Sequence, residues 1–173
     1  FDMAVLAKAH YPKSLQIWTF VMFWLGFGSL AGVFPFHTWS PDGHASAPTA
    51  VSMLHAGVLM KLGAFGVMRI GMMMLPDGAQ FWAPIVGGVA VVNVVYGAMS
   101  ALSQKDLKYI IAYSSVSHMG VVMLGAATLT QSGWNGAVYQ MFAHGIMTGL
   151  FFALVGHIYE RAHSREVAKM GGF

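Results

Sequence analysis

Cysteine is missing from this sequence altogether, which removes disulfides, thiolate nucleophiles and cysteine-ligated zinc or iron–sulfur centres from its chemistry. No statement about redox compartment follows. Charge is nearly as scarce: 9% of the 173 residues are Asp, Glu, Lys or Arg, against about a quarter in an ordinary soluble domain. The net charge of +3 is small and divided between connecting segments, so it argues for no nucleic-acid partner. Acids are the rarest group. All six, Asp2, Asp42, Asp77, Asp106, Glu160 and Glu166, fall in loops or at the ends of apolar stretches. Eight histidines are present, but no H-x-x-x-H or H-E-x-x-H spacing joins them and no interior acid completes a site, so no metal centre is expected. The chain opens on Phe1 rather than Met, with no short basic-then-apolar leader before its first long apolar run. It therefore reads as a segment excised from a longer polypeptide.

What is present is apolar. Hydrophobic residues make up 57% of the chain. Five stretches, at about 15–36, 48–71, 82–103, 108–129 and 134–158, are long enough to cross a hydrocarbon layer about 30 Å thick. They leave no room for a soluble catalytic domain, and the expectation is a single transmembrane domain over 1–173, all-α and multi-pass, with the lipid bilayer as its solvent. Turn chemistry bounds the spans: Tyr11-Pro12, Ser40-Pro41-Asp42-Gly43, Leu75-Pro76-Asp77-Gly78 and Gln131-Ser132-Gly133. Five crossings put the two ends on opposite sides. One set of connecting segments holds Lys105, Lys108, Arg161, Arg165 and Lys169, and the other holds Lys8, Lys13 and Arg69. The positive-inside rule accordingly places the 103–108 loop and the C-terminal tail in the cytoplasm or its organellar equivalent.

Helices pack in lipid through small residues and side-chain hydrogen bonds, because apolar burial gains little there. Many of the 21 glycines are expected at close helix contacts, among them Gly87, Gly88 and Gly97 on the third span and the Gly145/Gly149 pair on the fifth. The 14 methionines and 12 phenylalanines read as packing and lipid contact. No internal repeat or low-complexity tract is evident.

Against this background a few polar residues stand out. Lys61 lies near the middle of the second span, where a lysine costs about 2.5 to 3.5 kcal/mol on insertion scales and marks function by default. Gly57 and Ala64 share its helical face and leave a narrow crevice suited to a partner helix or a few waters. Burial lowers a lysine's pKa and a nearby carboxylate raises it, so moving a counter-charge makes such an amine release and regain a proton. The plainer alternative is a permanent ion pair, but no acid lies inside any span to form one. On the fourth span His118 lines up with Ser114 and Ser115, and on the fifth Gln140, His144 and Thr148 fall at i, i+4, i+8. Histidine titrates nearest neutral pH and takes a proton on one nitrogen while releasing it from the other. Each histidine taken singly also suits hydrogen-bonded packing; two of them with a buried lysine point to a proton path. His37 and His44 flank a tight turn, and hinge or capping roles suit them better than catalysis. The role of His55 is open.

The run from Phe34-Pro35-Phe36-His37-Thr38-Trp39 through Ser52, followed by Ala56-Gly57-Val58-Leu59-Met60-Lys61, resembles the proton-antiporter-like membrane subunits of respiratory complex I. So does the run from Gln104-Lys105-Asp106-Leu107-Lys108 through His118-Met119-Gly120. The likeness continues from Ala143-His144-Gly145 to Arg165, and ends at Met170-Gly171-Gly172-Phe173. The similarity is to the chain M, or subunit 4, type, with Mrp antiporter and membrane-bound hydrogenase subunits as cousins. It implies that the five spans correspond to helices seven to eleven of a fourteen-helix subunit, with Lys61 as the central lysine and His118 and His144 as relay histidines. It further implies a proton-translocating subunit of an NADH:quinone oxidoreductase, multi-pass in a bacterial inner membrane and surrounded by other membrane-arm subunits. NADH, FMN, iron–sulfur clusters and quinone are then expected in partner subunits and no cofactor in this chain. The resemblance leaves open an antiporter or hydrogenase subunit, or a structural subunit with an inactive channel. The family's second lysine falls on Leu30, which is uncharged, so the switching pair expected there cannot form.

Overall fold

The computed structural model describes residues 2–171, apart from the side chain of Ala4; Phe1, Gly172 and Phe173, which carry the first and last of the sequence readings above, lie outside the described residues. Six helices account for most of the chain: α1 (Lys13–Ala31), α2 (Trp39–Ser46), α3 (Thr49–Met72), α4 (Pro76–Ser103), α5 (Leu107–Ala127) and α6 (Gln131–Ala162). All but α2 are long and apolar enough to cross a membrane. Single turns, Met3–Leu6 and Val167–Lys169, precede and follow them. Among the described residues there is no strand, only an isolated bridge between Asp106 and Glu166. That bridge, with Leu107 N–H donating to Arg165 O (3.0 Å) and Val167 N–H to Lys105 O (2.9 Å), ties the C-terminal segment to the α4–α5 connection. Both therefore lie at the same end, the one expected to face the cytoplasm.

Local chemistry explains most of the boundaries. Pro76 opens α4 at a position where a missing N–H costs nothing. Asp106 caps α5 by accepting from Lys108 N–H (2.8 Å), and Thr130 caps α6 by accepting from Gly133 N–H (3.1 Å). Where expectation placed one span over 15–36, the structure has α1 ending at Ala31, a break, and then α2. Gly32 closes α1 in the left-handed conformation (φ 74°), its N–H and that of Val33 returning to Ser29 O and Gly28 O. Asn93, wholly buried on α4, accepts from Phe34 N–H (2.8 Å) and donates to Val116 O (2.8 Å). Trp39 donates to Ser29 O (2.7 Å). A break in the backbone inside an apolar setting is tolerated only where its polar groups find such partners. The turn assigned to Ser40-Pro41-Asp42-Gly43 is helical, and Ser40, Pro41, His44 and Ala45 are buried.

Glycines set the helix contacts, though not every glycine named above. A Cβ at Gly97 would lie 2.6 Å from Ser117 N, and one at Gly120 would lie 2.9 Å from Ala90 O, so α4 and α5 meet backbone to backbone. Gly63 of α3 is pressed in the same way against Phe27 and Ala31 of α1. Gly145 of α6 rests on Gly57 O of α3, at 2.9 Å from an added Cβ. Its partner in the G-x-x-x-G pair, Gly149, has nothing within 4 Å, and neither has Gly88, which corrects the reading of both as contact glycines. Phe20, Met60, Met119, Met123 and Phe152 fill the interior, while Trp18, Met22, Met99 and Phe142 face outward where lipid would be. α3 is not a uniform helix: wider π-helical turns occupy His55–Leu59 and Val67–Met72 on either side of the regular segment that carries Lys61. Such turns break the local register and recur at functional sites.

Candidate functional site

The side chain of Lys61 leaves α3 toward α6. Its Nζ lies 2.6 Å from Nδ1 of His144 and also donates to the carbonyl of Ala56. When Lys61 is an ammonium, which has only donors, His144 accepts on Nδ1 and carries its own proton on Nε2, an atom that is buried without a partner among the described residues. The His144 ring lies 5.1 Å, centroid to centroid, from that of His118 on α5. Gln140 Nε2 meets His118 Nδ1 at 2.9 Å, and because an amide nitrogen can only donate, the His118 proton too sits on Nε2. Four residues singled out from the sequence, Lys61, His144, His118 and Gln140, thus form one line across three helices.

The hydroxyls singled out with them do not join it. Ser114 and Ser115 both donate to Ile111 O (2.8 and 3.0 Å), and Thr148 donates to His144 O (2.7 Å). Each closes a bond to its own helix, a habit of Ser and Thr in apolar spans. Thr148 still fixes the backbone of the turn that carries His144.

Lys61 itself is only partly buried. It floors a groove of about 640 Å³ between α3 and α6, walled by Leu54, Phe65, Phe142 and Ile146 and narrowed by Gly57 and Gly145. The ion pairs among the described residues, Arg165–Asp106 (3.2 Å) and Lys169–Glu166 (2.8 Å), lie at the far C-terminal edge, and neither reaches this lysine.

A second lysine is less exposed to the surface. Lys108, counted in sequence with the loop charges, is 5% exposed. Its Nζ donates to Ala47 O (2.6 Å) and approaches Ser52 Oγ (3.4 Å), which in turn donates to His44 O (2.7 Å). Arg165 donates to Ala45 O (2.9 Å). The two cations therefore satisfy carbonyls at the C-terminal end of α2, where the helix dipole favours positive charge. They also border a cavity of about 400 Å³ together with Thr49 and Tyr159. A charge at a span end reads as a loop residue unless its carbonyl partners are known, and nothing in the residue pattern marks it as buried. We expect Lys108→Met to strand the Ala47 carbonyl, costing on the order of 1–3 kcal/mol. That cost should lower the thermal unfolding temperature of the purified full-length protein in detergent, with Lys108→Arg close to wild type.

His37 and His44 are buried too, at 3% and 0% exposure. His37 stacks on Phe34 (5.6 Å) and meets Tyr96 edge-on (4.9 Å), so it packs the break between α1 and α2. His44 faces His55 (5.8 Å) and Phe152 (5.6 Å). Burial first, then the charges of His55, Lys61 and Lys108, push His44, which lies outside the five spans, down to about 4. It is neutral at pH 7. Asn93, which pins the break, was also missed; an amide inside the apolar run Val91-Val92-Asn93-Val94-Val95 was the available signal.

Five helices long and apolar enough to cross a membrane, with a lysine–histidine line running across three of them, define a multi-pass integral membrane protein. The family model described as "NADH:quinone oxidoreductase/Mrp antiporter, TM" matches residues 1–173, and the chain belongs to that family. It is 45% identical over 172 residues to NAD(P)H-quinone oxidoreductase chain 4 3 of Picosynechococcus sp., covering 99% of this chain and 31% of that protein. It is 43% identical over 171 residues to chain 4 2 of Thermosynechococcus vestitus, covering 99% of this chain and 32% of that protein. The chain thus spans about a third of the length of the curated relatives it matches. Among solved structures, respiratory complex I from Thermus thermophilus with bound NADH superposes with a TM-score of 0.91 at 32% identity, over 96% of this chain and 36% of that one. The Mrp complex from Dietzia sp. superposes with a TM-score of 0.86 at 22% identity, over 95% of this chain and 31% of that one, and shows a shared fold.

Proposed function

We propose that this chain forms part of a proton-translocating membrane subunit of a quinone-reducing oxidoreductase, in which Lys61, His144 and His118 hold and pass protons. The observation that carries the reading is the contact of Lys61 Nζ with His144 Nδ1 at 2.6 Å, continued by the 5.1 Å approach of the His118 ring. Three titratable groups in a row inside apolar helices are costly to bury, and residues kept at that cost mark a function by default. The lysine donates to His144 and the His118 ring lies 5.1 Å away; with Nε2 already protonated and Nδ1 holding the Gln140 amide, His118 takes a further proton only once Gln140 lets go of Nδ1. Electron transfer belongs to partner subunits, which would hold the reduced nicotinamide, flavin, iron–sulfur clusters and quinone, and this chain would sit among other membrane-arm subunits in a bacterial plasma membrane. Relatives at 43% and 45% identity named as NAD(P)H-quinone oxidoreductase chains favour this over an Mrp-type antiporter.

The test is biochemical. Purification from native membranes through a tag on the full-length protein should bring down flavin and iron–sulfur subunits. Sealed vesicles carrying the complex should take up protons when reduced nicotinamide and quinone are supplied. Recovery with antiporter-type subunits alone, without flavin or iron–sulfur centres, would overturn the oxidoreductase reading and support the cation/proton antiporter. A complex that reduces quinone at full rate while Lys61 variants change no proton count would support an inactive channel, the reading that Leu30 favours.

A further inference from the structure

Lys108 and Arg165 are held side by side with less negative charge than they carry. Their hydrogen bonds go to carbonyls two residues apart, Ala47 O (2.6 Å) and Ala45 O (2.9 Å), and they are close enough to repel one another. Asp106, 3.2 Å from Arg165 Nε, is the one carboxylate paired with either of them among the described residues. Ser52 Oγ, the other neighbour of Lys108 Nζ, is neutral. Two cations against one carboxylate leave one positive charge unmatched. Lys108 is 5% exposed, and a cation withdrawn from water is costly until opposite charge reaches it.

Donors remain to meet that charge. An ammonium carries three N–H groups and a guanidinium five. Lys108 uses two of its three on Ala47 and Ser52, while Arg165 uses Nε and one hydrogen of Nη1 and leaves Nη2 with no protein acceptor among the described residues. Both side chains border the cavity of about 400 Å³, together with Thr49 and Tyr159. Thr49 packs on Gly156, where an added Cβ would lie 2.8 Å from its Oγ1, so the glycine leaves that hydroxyl uncrowded at the cavity wall. The Tyr159 ring is half exposed, with the Arg165 guanidinium carbon 5.9 Å from its centre. An aromatic side chain with a polar tip is typical of the membrane surface. The cavity accordingly sits at the end expected to face the cytoplasm, beside the segment that ties Arg165 to the α4–α5 connection.

We propose that this cavity is a phosphate site, in which Lys108 and Arg165 supply charge and N–H donors and Thr49 and Tyr159 supply hydroxyls. A phosphate offers several acceptor oxygens at once and matches the planar fork of a guanidinium, which a chloride ion does not. The unmatched charge is balanced by a singly charged phosphodiester, and the carboxylate of Asp106 disfavours a more highly charged anion. Two sources present this chemistry: the headgroup of a phospholipid in the adjoining leaflet, and dissolved phosphate. Binding makes and breaks no covalent bond. It holds Arg165, and with it the C-terminal segment, against α2 and α5. The site lies apart from the Lys61 line and does not depend on a proton-moving role for that line.

The experiment follows thermal unfolding of the purified full-length protein in two series. In one, phosphatidylglycerol is increased in nanodiscs of phosphatidylcholine, whose own ammonium cancels its phosphate. In the other, inorganic phosphate is compared with chloride at matched ionic strength in delipidated detergent solution. A ligand of the folded state raises the unfolding temperature with its concentration, so a saturable rise of several degrees is expected in at least one series. A rise with phosphatidylglycerol alone assigns the site to a lipid headgroup, and a rise with inorganic phosphate assigns it to the phosphate group from either source. Arg165→Gln should raise the half-saturating concentration about tenfold, the weight of one charge-assisted hydrogen bond. Arg161→Gln removes a cation from the same end but outside the cavity, and should change it by less than about twofold. If Arg165→Gln yields no folded protein, Thr49→Val, which removes only a hydroxyl, decides by a rise of about threefold or more against the same control. No saturable rise in either series overturns the site. So does an unchanged half-saturation in the deciding variant, or an equal loss in Arg161→Gln, which would reduce the response to general surface charge.

Discussion

Replacing Lys61 by Ala is expected to leave the subunit folded and to reduce coupled proton uptake by about tenfold or more. The two halves of that expectation have separate physical grounds. A lysine at mid-membrane costs about 2.5 to 3.5 kcal/mol to insert. Removing it therefore relieves a penalty, offset by the 1–3 kcal/mol or so of leaving His144 Nδ1 without its donor. Assembly should be near normal. Function should not survive, because no other described residue puts an ammonium against His144. Lys61→Arg sharpens the test, since a guanidinium keeps the charge but does not surrender its proton in a protein. If the group matters as a fixed charge, arginine restores uptake; if it matters as a proton carrier, arginine fails as alanine does. Protons taken up per electron by the reconstituted complex decide between them, and unchanged uptake in Lys61→Ala sinks the role assigned to this residue.

Gly97→Leu is expected to prevent the assembly that Lys61→Ala leaves intact. An added Cβ there would lie 2.6 Å from Ser117 N and 2.9 Å from Ser117 Cα. Those atoms are backbone, so no rotamer change relieves the overlap. α4 and α5 would have to part, breaking the bond from Ser117 Oγ to Val94 O (2.9 Å) and opening the facing contact of Gly120 on Ala90. Overpacking of an ordinary core costs about 1–3 kcal/mol, and a contact fixed by two backbones costs more. Gly88→Leu is the internal control: it sits on the same helix, yet nothing lies within 4 Å of its added Cβ. The yield of assembled complex after mild solubilisation should collapse for the first variant and stay at wild type for the second. Equal yields would contradict the backbone contact between α4 and α5.

The contrast between these glycines illustrates how far the sequence could be read. Gly87, Gly88 and Gly97 looked alike in it, as did Gly145 and Gly149. Only Gly97 and Gly145 press on a neighbouring backbone. A span that is apolar on every side presents no polar stripe to show which face meets another helix. Small size says where a close contact is permitted and not where it is made. The break after Ala31 was hidden for a related reason, because Val33 and Phe34 prolong the apolar run past the end of the helix.

The amino-acid sequence determined by itself that this chain crosses a membrane five times and that Lys61, His118 and His144 are the polar residues to explain. Both follow from transfer energies, which belong to each segment and residue locally. Only the tertiary structure decided which of them touch. Lys61 and His144 are 83 positions apart, and their contact depends on the rotation and depth of α6 against α3. The same packing turned Lys108 inward onto Ala47 and enclosed His44 beside His55, although their positions near turns suggest a loop charge and a hinge or capping residue. Register between uniformly apolar helices is set by glycine contacts and by a few buried hydrogen bonds, such as those of Asn93, and these exist only once the helices have met.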